Sequence, residues 1–400
     1  MKKIVIWLFC MLFLLILKNL NILQGVFSNI VVIALASVFI SLFLTRVDMN
    51  IDENQDQKRI SYVNLDIMRW ICAIFIIILH LRPFSYYNDI LDLTFNNMVG
   101  RIGVPLFFLI TGYFIALKIK DDPKYVRTYI KKNMPTYLFW SILYIPLGFG
   151  LMDKYNIAID LWPLALIVGL FYFGTYYHLW YFPALFLGMG LFNILLKKIS
   201  INKIVILSFL LLCFGATETY YGILPVGAQN LLHDYYYGYF YTTRNFLFFS
   251  LFYIALGYYI GITKDKKIKH CFPKFVISCI LLVVETMFLQ LHDRLDSNIL
   301  FSCIPLVYYL FHTMIYTRPL IPDASKYRGL SKYYYLIHPF VIYYVCQLFL
   351  LLDILKDQYI LKTIIIIGVT HVISRVIILV KRKTKALPIT IYTKLRKKTP

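Results

Sequence analysis

The chain has 400 residues, of which 60% are hydrophobic and 18% aromatic, with a mean hydropathy of +0.69 and a formal charge of +21. Soluble globular chains are only about half apolar, so this composition excludes that class and points to an all-helical polytopic membrane protein. The 41 Lys and Arg fall in short clusters between apolar runs, which argues against nucleic-acid binding and marks them as topology signals.

In chain order, apolar runs long enough to span a bilayer lie near 4–20, 22–45, 62–81, 98–118, 136–150, 177–196, 203–222, 243–262, 273–290, 298–316, 332–352 and 360–380. That predicts about twelve transmembrane helices. Lys2 and Lys3 ahead of the first run imitate a secretory leader, but no small-residue cleavage site follows and a second run begins at Ile22. Residues 1–60 therefore read as a retained two-helix membrane anchor. The basic stretches 118–132, 197–203, 264–274 and 318–332 and the tail 381–400 are expected on the cytoplasmic side by the positive-inside rule. An even number of spans must separate 118–135 from 197–203, so the short run 161–174, opened by Trp162-Pro163, is expected to be re-entrant or interfacial. Both termini then lie inside. The cysteines show no CxxC spacing, and neither a disulfide framework nor a metal site is legible.

The run 62–81 carries Asp66, Arg69 and His80. Ionisable groups in hydrocarbon cost on the order of 3 kcal/mol unless paired or hydrated, so they read as a functional site. Asp66 lies at i−3 to Arg69, within pairing reach. Arg69 and His80 are eleven residues apart, which returns to nearly the same helix face about 16 Å along the axis. This topology puts the Asp66–Arg69 pair at the cytoplasmic end and His80 at the outer end. His80 is the candidate general base, because an imidazole accepts a hydroxyl proton near neutral pH. Arg69 is suited to phosphate or pyrophosphate through its forked guanidinium.

Further along, Arg101 and Arg244 each open a span from the outer side, where topology disfavours positive charge, and so are candidates for an anionic ligand. His178 and Trp180, in Tyr177-His-Leu-Trp-Tyr-Phe-Pro183, lie at an expected outer entrance beside the re-entrant run. His338, in Tyr335-Leu-Ile-His-Pro-Phe340, is placed in the cytoplasmic third of its span. The aromatic cluster 235–241 suits either a sugar ring or an interfacial belt. Glu218 and Glu285, within apolar runs, each need a proton or a cationic partner.

Leu65-Asp-Ile-Met-Arg69 with His80 resembles the Arg-x10-His signature of the acyltransferase 3 family of multi-spanning membrane proteins. Gly103-Val-Pro-Leu-Phe-Phe-Leu-Ile-Thr-Gly-Tyr-Phe114, Thr243-Arg-Asn-Phe-Leu-Phe-Phe249 with Leu256-Gly257, and Ser331 to Phe340 resemble three further motifs of that family in order. The resemblance covers roughly 62–380 and implies a ten-helix core at 61–380 preceded by two extra helices. It implies an O-acyltransferase of the bacterial cytoplasmic membrane that takes an acyl group, commonly acetyl, from cytoplasmic acyl-CoA to a hydroxyl of an extracytoplasmic glycan or cell-envelope polysaccharide, with no permanently bound cofactor. His80 and Arg69 would then be the catalytic pair, Asp66 and His338 their support, and Arg101, His178, Trp180 and Arg244 the substrate-binding set. Trp180 is followed by Tyr-Phe-Pro-Ala-Leu rather than the Leu-x-x-Glu-x-Gln-Phe pattern of members that act on O-antigens. That variant is similar to the membrane domain of vancomycin-resistance serine racemases, associated with L-serine uptake. No racemase-like stretch accompanies it, so activity is expected from the membrane core alone. Amino-acid transport is the alternative reading, and a silent scaffold in polysaccharide export a third.

Overall fold

The computed structural model describes residues 62–87, 89–233, 242–263, 271–317, 319, 321–352 and 358–396. The expected N-terminal anchor 1–60 and the aromatic cluster 235–241 lie outside the described residues. No β-strand occurs among those described. Ten principal helices are α1 (Val63–Leu81), α2 (Gly100–Lys118), α3 (Tyr125–Lys154), α4 (Tyr181–Leu196), α5 (Ile201–Ala216), α6 (Leu251–Ile262), α7 (Cys271–Gln290), α8 (Cys303–Tyr316), α9 (Ser325–Leu351) and α10 (Tyr359–Arg396).

Six helices, α1, α2, α3, α7, α9 and α10, are long and apolar enough to cross a bilayer. The others, together with Ile159–Phe173, are apolar but shorter, so twelve full-length spans are not what the described residues contain. Two expected boundaries move. The basic stretch 118–132 is a loop only as far as Lys124, because Arg127, Lys131 and Lys132 form the first turns of the 30-residue α3. Arg and Lys are good helix formers and snorkel, so a basic run continues a helix as readily as it ends one. For the same reason α9 begins at Ser325, well before the apolar run at 332. The segment expected to be re-entrant is a 3₁₀ turn at Ile159–Leu161, a short helix at Trp162–Val168 opened by Pro163, and a π turn at Gly169–Phe173. Gly174 ends it at φ 81°, where a Cβ would meet the Leu179 carbonyl carbon and the Trp180 nitrogen at 2.6 Å.

The chain divides into two compact units, one formed by residues up to Gly100 with those from Met314 onward, the other by Arg101–Thr313. In the first, α1 and α9 run parallel, with Asp66 against Arg328 near one end and His80 against His338 further along. The α10 helix runs antiparallel to α9, with Tyr334 facing His371 and Gly329 against Ile378. In the second, α2 crosses α6 at backbone contact: a Cβ on Gly257 would lie 1.9 Å from the Leu109 carbonyl oxygen, and one on Gly112 2.0 Å from that of Ile254. In lipid, helix pairs are held by close packing rather than by water exclusion, so glycine at the crossing point has a physical cause. The glycine of each of the two motifs that meet here is therefore a packing residue.

Candidate functional site

Asp66 is the centre of a three-residue charge network in the first unit. Its carboxylate, 3% exposed, accepts from Arg69 Nη1 at 3.0 Å, the i+3 pair expected from the spacing. It also takes a forked set of bonds from Arg328 of α9, with Nη2 at 2.6 Å and Nε at 3.0 and 3.1 Å. One buried carboxylate thus orients two guanidinium groups. Ser331 Oγ donates to the Arg69 carbonyl at 3.0 Å, and Asn64 Nδ2 donates to the carbonyls of Met314 and Thr317 at 3.2 and 2.9 Å. Trp70 packs on Tyr327 and Tyr334. The start of α1 is therefore pinned to α9 by polar bonds on one side and aromatic rings on the other.

At the other end of α1, His80 stacks on His338, with ring centroids 5.4 Å apart and planes 16° apart. His80 is exposed and His338 fully buried. The His338 ring is held by a backbone defect. Pro339 has no N–H, so the Tyr335 carbonyl loses its helical partner, and His338 Nδ1 lies 2.9 Å from that oxygen and 3.0 Å from the Tyr334 oxygen. A carbonyl only accepts, so Nδ1 carries the proton. The His-Pro pair is in this way a device that fixes one imidazole and, through it, a second. The helix α1 ends at Leu81, one residue after His80: Arg82 adopts φ 47°, donates its N–H to the Ile78 carbonyl at 3.0 Å, and is followed by Pro83. Its guanidinium then pairs with Asp92, in the short helix Asp89–Leu93, at 2.5 Å.

The depth of these rings corrects the expected placement. His338 is flanked by thirteen residues on each side within α9, and His80 is level with it. His80 was expected at the outer end of its span and His338 in the cytoplasmic third of its own, and instead they lie side by side at one level. The cause is that α9 starts seven residues before its apolar run, while α1 ends beside the middle of α9.

In the second unit, Arg101 and Arg244 converge on one loop carboxylate. Arg101 lies 3.7 Å and Arg244 3.8 Å from Asp296, and Arg101 Nη1 donates to Asn298 Oδ1 at 2.7 Å. Asn298 Nδ2 in turn bonds Asp296. The Arg244 guanidinium sits 5.8 Å over the Trp180 ring, a cation–π contact. Trp180 also packs on Phe108 and Phe249. His178 is buried edge-on to Tyr144, with centroids 4.6 Å apart, in the turn that Gly174 opens. Of the four substrate-binding candidates, three form one cluster and His178 stands apart among tyrosines. The Thr243-Arg-Asn motif explains the cluster's rigidity. Asn245 caps the π turn Phe246–Ser250 by accepting from Leu247 N and Phe248 N at 2.9 Å each, and donates to Tyr172 Oη at 2.9 Å. Thr243 bonds Glu218 through both its N–H and its hydroxyl. Glu285 is held by neutral donors, Tyr220, the Ser302 hydroxyl and the N–H groups of Phe301 and Ser302.

Arg328, Asp296, Asn298 and Pro339 take part in these clusters without having been singled out from the sequence. The signal for Arg328 and Asp296 was present as charge, but each sat in a stretch whose charges were already accounted for by topology. Pro339 was adjacent to a candidate histidine, and its missing N–H was the usable clue.

The profile of the acyltransferase 3 family, an acyltransferase domain, matches residues 62–379. Among curated proteins the chain is similar to an amino-acid racemase of Enterococcus faecalis, 27% identical over 334 residues, which are 80% of this chain and 46% of the relative. It is also similar to a serine/alanine racemase of Enterococcus gallinarum, 28% identical over 290 residues, 70% of this chain and 40% of the relative. The chain spans less than half the length of these relatives. No solved structure matches it. The stretches whose physical roles are described above, Asp66 to His80, Gly112 against Gly257, Thr243 to Phe249 and His338-Pro339, all lie within the matched range, and the chain belongs to the acyltransferase 3 family.

Proposed function

We propose that this multi-pass membrane protein resides in a bacterial cytoplasmic membrane with both termini inside, and transfers an acyl group, acetyl first among candidates, from cytoplasmic acyl-CoA to a hydroxyl of an extracytoplasmic glycan. The observation that carries the reading is the α1–α9 pairing: one helix pair holds two guanidinium groups on one carboxylate at one level and a stacked histidine pair at another. Arg69 and Arg328, oriented by Asp66, would hold the phosphates of the donor. His80, eleven residues and about 16 Å further along α1, would face the thioester. The acceptor hydroxyl gives its proton to the His80 imidazole as its oxygen attacks the thioester carbonyl. The tetrahedral intermediate then collapses, the C–S bond breaks, and the CoA thiolate takes the proton back from the imidazolium. His338 is a positioning residue that holds His80 through ring stacking. Arg101, Arg244 and Trp180 are assigned to the acceptor, and no permanently bound cofactor takes part.

A second reading rests on a separate observation. Asp296 between Arg101 and Arg244 offers both signs of charge, which suits an amino-acid zwitterion, and the relatives named above are racemases of amino acids. In that case the chain transports an amino acid such as L-serine. The test uses purified protein in lipid with labelled acetyl-CoA and a cell-wall glycan extract. Label reaching glycan with wild type and not with His80→Ala supports acyl transfer. Labelled L-serine uptake without CoA turnover overturns it in favour of transport.

A further inference from the structure

Between α9 and α10 lies a pocket of about 110 Å³ lined by Lys326, Leu330, Arg375, Ile378 and Leu379. It belongs to neither of the clusters described above. Arg375 sits six residues before the end of the apolar part of α10, about 9 Å inside it, and is exposed, with Val372, Val376 and Leu379 exposed around it. An exposed guanidinium at that depth faces lipid, where it is costly without an anion. No carboxylate lies within ion-pair distance of Arg375 or Lys326 among the described residues. Asp323, the acid nearest Lys326 in sequence, acts on Lys326 only at longer range and accepts from Ser325 N and Oγ at 2.8 and 2.9 Å. Lys326 rests over the Tyr327 ring at 5.0 Å, and Arg328 is taken by Asp66.

We infer that this pocket is a headgroup site for an anionic membrane phospholipid. The phosphate sits between Lys326 and Arg375, and the acyl chains run towards the membrane interior along the exposed Val372 and Ile364. Size and access select this occupant. Sites for drug-sized ligands run to roughly 300 Å³ and more, so a volume of about 110 Å³ is too small for an adenine nucleotide, and its mostly aliphatic walls suit the upper part of an acyl chain, leaving the Lys326 and Arg375 charges for the phosphate. The exposed walls are open to hydrocarbon, so the ligand arrives sideways through the membrane. Basic pockets between spans are a general means of selecting such lipids. The inference uses only the membrane setting and is independent of the proposed reaction.

The experiment is native mass spectrometry of the full chain released from nanodiscs containing phosphatidylglycerol and phosphatidylcholine, for wild type, Lys326→Gln/Arg375→Gln and Lys326→Arg/Arg375→Lys. Wild type is expected to retain one phosphatidylglycerol in preference to phosphatidylcholine. The glutamine pair should lose that preference by about thirtyfold, five- to sixfold for each charge, and the charge-keeping pair should retain it, which separates charge from folding. Equal retention in wild type and the glutamine pair overturns the site. Displacement of the lipid by equimolar acetyl-CoA also overturns it, since the phosphate would then come from the nucleotide.

Discussion

Removing the Asp66 carboxylate tests whether the charge network joins α1 to α9 or merely decorates them. Asp66 is 3% exposed and accepts four bonds between 2.6 and 3.1 Å, three from Arg328 and one from Arg69. Breaking a buried pair typically costs about 3–5 kcal/mol. Here the side chain of Arg328 is 63% exposed and that of Arg69 21%, so both guanidinium groups recover part of their solvation. Asp66→Ala should therefore cost about 3 kcal/mol, the low end of that range. Asp66→Asn should cost less, because the amide oxygen still accepts. The sharper quantity is the coupling energy from the cycle Asp66→Ala, Arg328→Ala and the double variant, expected at about 1–2 kcal/mol against about 0–1 for an exposed pair. Reversible unfolding by SDS titration in mixed micelles supplies all three values. A coupling below about 0.5 kcal/mol would refute the argument, since it would mean that two solvated groups meet in the structure without holding the helices together.

Two further predictions concern packing and proton placement. Gly257→Ala puts a methyl group 1.9 Å from the Leu109 carbonyl oxygen, backbone that cannot move without separating α2 from α6, so a loss of about 3 kcal/mol or more and a fall in folded yield are expected by fluorescence-detected size-exclusion chromatography; wild-type yield would refute close contact at the crossing. Pro339→Ala returns an N–H to the Tyr335 carbonyl, which should leave stability equal or higher while releasing His338 Nδ1. Acyl-transfer kcat is expected to fall several-fold with an altered pH profile and little change in KM for the donor; an unchanged profile would show that the proline does not position the histidine.

The parts of this molecule legible in the sequence are those with local causes. The limits of α1, expected at 62–81 and found at Val63–Leu81, follow from one apolar run whose polar residues lie towards its ends and which is closed by Pro83. The Asp66–Arg69 pair followed from i,i+3 spacing. What stayed hidden depends on partners far away in the chain. Arg328 is 262 residues from Asp66, and nothing in its own neighbourhood distinguishes it from the topology lysines around it. Likewise, Arg101 and Arg244 were conspicuous for lying at the disfavoured end of their spans, but the carboxylate they share lies on a loop that topology alone would leave in solvent. Boundaries shifted where positive charge was treated as loop, at α3 and α9, because a cation with a long apolar stem is compatible with the end of a membrane helix.

Each unit repeats one electrostatic device: a single aspartate between two arginines, Asp66 with Arg69 and Arg328, and Asp296 with Arg101 and Arg244. A carboxylate so placed removes half the positive charge and fixes the remainder in orientation, which prepares a site for an anion without leaving two like charges to repel one another. The two readings of function assign these devices differently. Acyl transfer needs the first for donor phosphates, whereas transport of a zwitterion needs the second for both of its charges. Asp66→Asn removes a negative charge from between the first pair of arginines and should keep or lower KM for acetyl-CoA even as the protein loses stability. Asp296→Asn removes the carboxylate that the second pair shares and should abolish zwitterion uptake, but leave acetyl-CoA hydrolysis in the absence of acceptor unchanged. If Asp296→Asn instead raises KM for acetyl-CoA, the donor is bound by the second cluster, and the assignment of Arg69 and Arg328 to the phosphates fails.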